Sequence, residues 1–308
     1  MSQIKIGLIG GTGLGSLLEG DQASTRHEID TPFGRPSGAI IETQWDGLPV
    51  LLLSRHGPGH LINPSRIPSR ANIFALKQLG VTHILASGAV GSLREEFHPR
   101  DLVIPDQIID KTNGRPGTFY ENAAVHVEFA EPFCPVLRQI LIEAAKQASS
   151  EPQPLAVHDR ACYVCMEGPA FSTRAESLMH RLWGGDLIGM TAMPEAKLAR
   201  EAEIAYALVA LVTDYDCWRA RPAAAEHRPQ DKHALLAEII GNVKAATDNA
   251  MRLLREAVKL LSQRRDALPP SPAHSALELA IWSDKQQIPP EQVERLRPLW
   301  GRHFPPGA

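Results

Sequence analysis

The chain lacks the features that mark several broad classes of protein. Its 308 residues carry a formal net charge of −3, so the charge gives no reason to expect nucleic-acid or anionic-membrane binding. No apolar run approaches the length of a bilayer span. The first residues, MSQIKIGLIGG, lack the pattern of a secretory signal and lead directly into a predicted strand. We therefore expect a cytoplasmic protein without nucleic-acid or membrane partners.

Cysteine is also scarce, with four residues in the whole chain. Cys162 and Cys165 have the CxxC spacing of metal and redox sites, but no second CxxC or histidine pair follows at a matching distance. The surrounding sequence is typical of a strand, in which residues three apart face opposite sides. We expect two small core side chains at these positions and no metal site.

Short apolar segments alternate with amphipathic ones along most of the chain, and this alternation predicts an α/β layered domain with a parallel or mixed sheet. Strands are predicted at residues 4–9, 39–42, 50–53, 83–87, 102–110, 161–166, 187–190 and 205–213. Helices are predicted at residues 65–79, 135–148, 173–183, 194–203 and 233–264. Ligands of such sheets bind where strands end in loops.

The end of the chain has a different composition. After the long predicted helix, the stretch SQRRDALPPSPAHS contains three prolines and indicates a linker. Two short helices are predicted beyond it, at 275–284 and 291–300. We therefore divide the chain into a main domain, residues 1–264, and a carboxyl-terminal extension, residues 265–308. The sequence leaves open whether the extension is a local structural addition or a cap over the active site or a subunit interface.

Two segments at strand ends are suited to binding an anion. In IGLIGGTGLG, glycines free the backbone to approach a ligand and Thr12 adds a hydroxyl donor. A structural turn is one alternative, and a dinucleotide fingerprint is another, although Ser16 stands where its third glycine belongs. In LLLSRHGPGH, Arg55 and His56 follow a strand and can both donate charge-assisted hydrogen bonds to an oxyanion. The alternative there is an ordinary surface loop.

Three further strand ends carry residues that suit a small ligand. Around Gly88 and Ala89, small residues either let backbone N–H groups close on a ligand or simply allow close packing. Phe171, in MEGPAFSTRAES, either stacks on a flat ring or anchors the core. Met190 and Thr191 offer a soft apolar wall and a hydroxyl group at the end of another strand.

The stretch LVTDYDCW places two carboxyl groups at the end of a buried strand. Asp214 and Asp216 are two residues apart, so they point the same way if the strand continues. Two neighbouring carboxylates in a buried place repel each other, and both this repulsion and burial raise a carboxyl pKa. The pair can therefore share one proton, and one member can act as a hydrogen-bond donor.

Taken in order, these segments resemble one family, the trimeric purine nucleoside phosphorylases, and within it the methylthioadenosine phosphorylases. The resemblance is carried by GGTGLG, SRHGPGH, GAVGSLREE, DLVIPDQIIDKT, AEPFCP, EGPAFSTRAES, GMTAMPEAKLAREA and TDYDCW. It covers residues 4–262, and the extension lies outside it. It implies a single-domain, three-layer nucleoside phosphorylase fold with a central mixed β-sheet flanked by helices.

The resemblance also implies an activity, that of a pentosyltransferase of purine and methionine salvage. The expected reaction is phosphorolysis of S-methyl-5′-thioadenosine to adenine and 5-methylthioribose 1-phosphate. A broader purine nucleoside phosphorylase, acting on adenosine or 6-oxopurine nucleosides, is the alternative. The expected assembly is a homotrimer that needs no cofactor and uses inorganic phosphate as a co-substrate.

The matching motifs imply roles for particular residues. Phosphate is expected to be bound by Thr12, Arg55, His56, Gly88, Ala89 and Thr191. The nucleoside is expected to contact Phe171, Ser172, Met190, Asp214, Tyr215 and Asp216. The predicted catalytic residues are His56, Asp214 and Asp216, and no metal ligand is predicted.

The chemistry of glycosyl transfer fits these roles. The transition state is positive on the sugar and negative on the departing base, so an anion near the sugar and a proton donor at purine N7 both lower its energy. One Asp can donate to N7 while the other accepts from a 6-amino group. Relatives that cleave inosine and guanosine carry an Asn in this region, so the Asp pair favours a 6-amino purine.

Some positions depart from the family pattern. Gly88 stands where some members carry a hydroxyl residue, and the loop at 219–232 looks longer than usual. The loop leads to the helix that shapes the 5′ pocket, where His233, Leu235 and Leu236 are the candidates to line it. The 5′ substituent therefore stays open between methylthio and hydroxyl. A non-catalytic nucleoside-binding protein on the same fold, with the extension as its partner element, is the alternative from another functional class.

Overall fold

A computed structural model of the chain describes residues 4–11, 24–149, 153–219 and 232–304. The strands are β1 Ile6–Gly10, β2 Thr25–His27, β3 Ile40–Trp45, β4 Leu48–Ser54, β5 His83–Ser92, β6 Leu102–Val103, β7 Gln107–Lys111, β8 Val157–His158, β9 Cys162–Met166, β10 Leu187–Gly189 and β11 Ala205–Tyr215. The α-helices are α1 Ser69–Gln78, α2 Pro135–Ala148, α3 Arg174–Leu182, α4 Glu195–Glu201, α5 Lys232–Gln263, α6 Pro290–Arg295 and α7 Arg297–Trp300. Short 3₁₀ helices lie at Pro58–His60, Pro64–Arg66, Pro272–Ser275, Lys285–Gln287 and Gly301–His303.

The described strands form one mixed sheet, as the sequence predicts. Its main path runs β2-β3-β4-β1-β5-β10-β9-β7, and β11 pairs with β5 and leads to β6 and β8. The pairs of β1 with β4, of β1 with β5 and of β5 with β11 are parallel. Because parallel strands end at the same edge, the carboxyl ends of β1, β4, β5 and β11 lie together.

The core consists of two apolar layers, one on each face of the sheet. In β11, Tyr206, Leu208 and Val212 face one layer, whereas Ala207, Val209 and Leu211 face the other, as the alternation of a strand requires. The first layer includes residues of α1 and α4, and the second is covered by α2 and α5. The helix–sheet–helix arrangement confirms the predicted three-layer α/β fold.

The CxxC pair follows its predicted placement in part. Both thiols are free, and Cys165 is fully buried in the first layer, which confirms a core position. Cys162 is only half-buried, so the core prediction is wrong for this residue. The backbone amide of Cys162 donates to the Asp186 carboxylate over 2.8 Å.

Several predicted elements differ in their bounds for identifiable reasons. The strand predicted at 102–110 is divided into β6 and β7, with Pro105 between them. The helix predicted at 65–79 begins only at Ser69, after Pro68 at its N-cap. The helix predicted at 275–284 is wrong, because this segment pairs with an extended one: the Trp282 amide donates to the Ala124 carbonyl over 2.9 Å. None of the described helices has the length and apolar character needed to cross a membrane.

The extension packs into the main core. Trp300 is 1% exposed and stacks on Tyr120 with ring centroids 4.8 Å apart. Leu277 and Leu299 are also buried in the first core layer. The boundary at residue 264 stays a prediction, but the described part of the extension does not form a core of its own.

Candidate active site

The anion-binding candidates meet at the shared edge of β1 and β4. The Arg55 amide donates to the Gly10 carbonyl over 2.8 Å, which continues the pairing of the two strands to their ends. A Cβ atom at Gly11 would lie 3.6 Å from Arg55 Nη1 and 3.9 Å from His56 Cδ2. The glycine therefore brings the backbone close to both side chains. Thr12, the hydroxyl donor predicted beside them, lies outside the described residues.

Arg55 is completely buried and is held by an ion pair that the sequence does not reveal. Its Nε and Nη2 donate to the two carboxylate oxygens of Glu195 over 2.8 and 2.9 Å, and Nη1 donates to the Ser87 carbonyl over 2.9 Å. Burial alone disfavours the charge, but the Glu195 carboxylate raises the pKa of Arg55 above its ordinary value. Arg55 is thus a fixed charge behind Gly11, and most of its donors serve the protein.

Glu195 is the counter-ion that sequence reasoning missed. The motif MPEAK predicts only an acidic residue in the first turn of a helix, which is a common structural feature. In the structure Glu195 is 2% exposed and also accepts a hydrogen bond of 2.8 Å from the Tyr206 hydroxyl. The signal available in the sequence was a charged residue directly after the apolar run Ala192-Met193-Pro194, because such a residue needs a partner if it is buried.

His56 differs electrostatically from its prediction. Its Nδ1 lies 2.7 Å from the Ile62 carbonyl, which can only accept, so Nδ1 carries the proton and Nε2 has a free lone pair. Burial lowers the pKa of His56 to about 4, and the charges of Arg55 and His60 act in the same direction. The expectation of a charge-assisted donor is therefore wrong for His56 in this state. Near neutral pH its Nε2 is an acceptor.

Gly88 and Thr191 are brought together from β5 and from the end of β10. A Cβ atom at Gly88 would lie 3.1 Å from Thr191 Oγ1, so the glycine leaves the threonine hydroxyl the room it occupies. Ala89, the next residue, is exposed on the same strand. The missing side chain at position 88 therefore has a local consequence, since a larger residue would displace Thr191.

Three of the residues predicted to contact the nucleoside, Phe171, Ser172 and Met190, lie on the two loops that follow β9 and β10. Met190 packs on Gly168, where a Cβ atom would lie 2.5 Å from its sulfur. Phe171 is 85% exposed, so its alternative reading as a core anchor is wrong. The Ser172 carbonyl accepts from the Cys217 thiol over 3.3 Å, which ties this loop to the segment that carries the two aspartates.

Arg115 joins these two loops and was not singled out from the sequence. Its side chain is 6% exposed and donates to the Met190 and Met193 carbonyls over 2.7 and 2.8 Å. Its Nε donates to the Glu167 carboxylate over 2.9 Å. One guanidinium thus fixes the ends of both β9 and β10, and with them the positions of Met190 and of the Phe171 loop.

Asp214 is the next-to-last residue of β11, and Asp216 is the first residue after this strand. The pairing of β11 with β5 is irregular between Val212 and Asp214, and Asp214 lies opposite Gly91. The Thr213 hydroxyl donates to Asp214 over 2.6 Å. Burial raises the pKa of Asp214, and the neighbouring Asp216 raises it further. This is the direction that the sequence predicted for one member of the pair.

Asp216 and the residue before it, Tyr215, have different hydrogen-bond partners. The Asp216 amide donates to the Ser92 carbonyl over 3.0 Å, and its Oδ2 is buried without a hydrogen-bond partner among the described residues. Tyr215, between the two aspartates, donates its hydroxyl to the Glu95 carbonyl over 3.2 Å and has Trp218 against its ring. Its role as a substrate contact stays a prediction.

Comparison with known proteins decides the family. The family model described as "Phosphorylase superfamily" matches residues 5–259. The chain is 46% identical over 307 residues to S-methyl-5′-thioadenosine phosphorylase of Synechocystis sp., covering 99% of this chain and 90% of the relative. The chain belongs to the methylthioadenosine phosphorylase family. This member of the family is also 45% identical over 306 residues to the enzyme of that name from Chloroflexus aurantiacus, covering 99% and 100% of the two chains.

Solved structures lead to the same family. A methylthioadenosine phosphorylase from an antarctic soil metagenomic library superposes with a TM-score of 0.83 at 43% identity, covering 97% of this chain and 99% of the other. The Schistosoma mansoni methylthioadenosine phosphorylase in complex with adenine has a TM-score of 0.78 at 36% identity, covering 91% and 99%. The near-complete matches include most of the extension, so its expected exclusion from the family resemblance is wrong.

Proposed function

We propose that this phosphorylase cleaves S-methyl-5′-thioadenosine with inorganic phosphate to give adenine and 5-methylthioribose 1-phosphate. The observation that carries the proposal is the position of Asp214 and Asp216 at the sheet edge that also holds Arg55 and His56. A proton donor for a base and a site for an anion thus share one end of the sheet. The names of the relatives at 44–46% identity support the choice of nucleoside.

Phosphate is expected to lie against Gly11, with Arg55 behind the backbone and the Thr191 hydroxyl beside it. Neutral His56 then accepts a hydrogen bond at Nε2 from the single hydroxyl of HPO₄²⁻, which turns the charged oxygens toward the sugar. Thr12, Gly88 and Ala89 belong to the proposed phosphate site on the strength of their motifs. No cofactor takes part in the proposed reaction.

The reaction exchanges one bond for another at the anomeric carbon. A phosphate oxygen forms a bond to C1′ while the C1′–N9 bond breaks and its electron pair moves into the purine. The proton of Asp214 passes to N7, so the base leaves as neutral adenine. Asp216 accepts a hydrogen bond from the 6-amino group. Phe171 and Ser172 flank the base, and Met190 lies against the ribose.

A steady-state comparison tests this function. Methylthioadenosine, adenosine and inosine are supplied with saturating phosphate, and the released base is separated by liquid chromatography. We expect phosphate-dependent release of adenine, with 5-methylthioribose 1-phosphate visible by ³¹P NMR. Faster cleavage of inosine than of methylthioadenosine contradicts the argument from the two aspartates. Binding of nucleoside without turnover in phosphate supports a non-catalytic binding protein instead.

A broader specificity is the second candidate function. One structural neighbour is an adenosine/methylthioadenosine phosphorylase from Schistosoma mansoni, as its name states, at 35% identity. The candidate residues of the 5′ pocket, His233, Leu235 and Leu236, have side chains outside the described residues. The ratio of kcat/KM for methylthioadenosine to that for adenosine distinguishes the two candidates.

We further propose a homotrimer acting in purine and methionine salvage in the cytoplasm. Exposed apolar side chains near the site support an assembly: Leu182 is 87% exposed on α3 and Leu61 is 86% exposed after the His56 loop. Exposed apolar side chains of this size are suited to burial in a subunit interface. Light scattering coupled to size-exclusion chromatography measures the mass, and a monomer of 33.7 kDa contradicts the trimer.

A further inference from the structure

Helix α3 places its residues in an unusual way. Of its nine residues, the two that are buried are polar, Ser177 and His180, whereas Leu178 and Leu182 are 45% and 87% exposed. An amphipathic helix normally buries its apolar side chains. The start of the helix is firmly fixed by a capping box between Thr173 and Glu176, so this orientation is well defined. The buried polar face therefore calls for an explanation.

The buried face of α3 packs on the segment that carries Asp216. The guanidinium of Arg181 lies 3.7 Å from the centre of the Trp218 ring, and the Trp218 indole donates to the Ser92 carbonyl over 2.8 Å. Asp216 donates its own amide to that same carbonyl. The loop before α3 contacts Cys217 through Ser172. Trp218 thus contacts α3, Cys217 contacts the loop before α3, and Asp216 directly precedes both residues.

Three polar atoms of α3 and of residue 216 are buried without a hydrogen-bond partner among the described residues: Ser177 Oγ, His180 Nδ1 and Asp216 Oδ2. The Ser177 side chain also lies near enough to the Cys217 thiol to lower its pKa in part. Ser177 is 0% exposed and His180 is 4% exposed. Burial lowers the pKa of His180, and the Asp216 carboxylate is near enough to raise it in part. Buried polar atoms bond to protein, to ordered water or to a ligand, and a water needs two to four such partners.

The geometry assigns to His180, with Ser177 beside it, the role of a positioning residue that donates to the buried Oδ2 of Asp216 through one ordered water. This inference rests on the proposed function, in which Asp216 faces the 6-amino group. A carboxylate that accepts hydrogen bonds at its inner oxygen is stabilised in the charged form. His180 therefore keeps Asp216 ionised and leaves the proton of the pair on Asp214.

The other groups around His180 are compatible with this role. Glu176 on its own helix raises the pKa of His180, and Lys111 at the end of β7 lowers it. The Trp183 ring meets the imidazole edge to face, with centroids 5.8 Å apart. Burial and Asp216 raise the pKa of the neighbouring Cys217 thiol, and the Ser177 side chain offsets this only in part, so the thiol stays neutral near pH 7. Of the two aspartates, Asp216 is the one whose charge acts on His180.

Two substitutions of His180 separate hydrogen bonding from packing. His180→Phe keeps the ring and removes the donor, whereas His180→Asn keeps a donor near the position of Nδ1. A hydrogen bond to a charged group is worth about 1.5–3 kcal/mol, so we expect His180→Phe to lower kcat/KM for methylthioadenosine about ten- to a hundredfold. His180→Asn should restore most of this loss, and Ser177→Ala should have a smaller effect of the same kind.

If His180 had only a structural role, its substitution would leave the pH dependence of kcat/KM unchanged, so this dependence is the decisive measurement. In His180→Phe the proton is no longer confined to Asp214, so the pH at which kcat/KM falls should shift relative to the wild type and to His180→Asn. The preference for 6-amino over 6-oxo nucleosides should fall as well. His158→Phe is the matched control, because His158 pairs with Asp101 over 2.8 Å outside the proposed site and should change stability alone.

A measurement on the unmodified protein keeps the inference testable if His180→Phe does not fold. The carboxyl ¹³C shifts of labelled aspartate, assigned with Asp214→Asn and Asp216→Asn, should report a protonated Asp214 and an ionised Asp216 in the adenine complex. The reverse assignment overturns the inference, as does a pH profile that His180→Phe leaves unchanged. A wild-type protein that releases no adenine in phosphate refutes the proposed function instead, so the two failures are distinguishable.

Discussion

Glu195→Ala should destabilise the protein strongly, because it leaves a charged guanidinium buried without its counter-ion. Arg55 is 0% exposed, and two hydrogen bonds of 2.8 and 2.9 Å join it to Glu195. Arginine does not lose its proton in proteins, so neutralisation is not available to it. Removing one partner of a buried ion pair costs about 3–5 kcal/mol in free energy of unfolding.

Tyr206 increases the expected loss. Its hydroxyl donates to Glu195 over 2.8 Å, and a buried hydroxyl left without a partner costs about 1–3 kcal/mol. Because the two costs share one site they do not simply add, and we expect a total at the upper end of the range, about 5 kcal/mol. A change of this size is a large part of the stability of a typical domain, about 5–15 kcal/mol. At about 2 °C per kcal/mol, the melting midpoint should fall by roughly 10 °C.

Chemical denaturation followed by tryptophan fluorescence measures this change, at one protein concentration for all variants. The double variant Arg55→Leu/Glu195→Leu should recover most of the stability, because apolar replacement of a whole buried pair is often neutral. It should not recover the use of phosphate. Asp30→Ala is the matched control: it breaks an ion pair with Arg35 whose side chains are 81% and 77% exposed, and it should leave the stability almost unchanged because solvent screens this pair. If Glu195→Ala loses no more than Asp30→Ala, the reasoning about the buried pair is wrong.

Four further results are expected. The Asp214→Asn variant cannot protonate N7, so its kcat/KM for methylthioadenosine should be lower by about 100-fold or more. In the wild type kcat/KM should decline as the pH rises through the raised pKa of Asp214, and this decline should be absent from the variant. An unchanged pH profile speaks against the role of Asp214. His56→Ala should raise the KM of phosphate more than that of nucleoside, and the reverse pattern removes His56 from the phosphate site. The folded protein holds the pKa of His56 near 4 and that of His83 near 3, whereas the same side chains bind protons near pH 6.5 in the unfolded chain. The free energy of unfolding should therefore fall as the pH decreases from about 6.5 to 4. Urea midpoints that do not change over this range contradict the prediction. Trp300→Ala should cost about 3–5 kcal/mol by the same measurement, and a loss under about 1 kcal/mol means that the extension adds little to the core.

The layers of the fold could be predicted because they depend on local patterns. The alternation within β11 and the spacing of α5 each follow from the period of one element. Helix α2 lies at the bounds predicted, since Pro135 and the preceding Cys134 mark its start. The segment at 275–284 could not be predicted in this way, because its hydrogen bonds go to residues 124 and 126, far along the chain.

The candidate site, like the fold, could be predicted from the sequence only in part. Its strand-end residues are recognisable because glycines, Arg-His and paired aspartates are unusual after apolar runs. Their partners are not recognisable, since Glu195 lies 140 residues from Arg55 and Arg115 lies 75 residues from Met190. The neutral state of His56 also depends on burial and on the Ile62 carbonyl, neither of which the motif encodes.

The burial of Trp300 bears on how the protein is made. The first core layer joins Ile9 of β1 with Leu299 and Trp300, which leave the ribosome long after it. Domains fold as units, so a nascent chain that still lacks Trp300 exposes Tyr120 and the neighbouring apolar surface. This core layer can therefore close only once α7 has been synthesised, and a message truncated shortly before codon 296 yields a chain whose sheet is complete but whose first core layer is open to solvent.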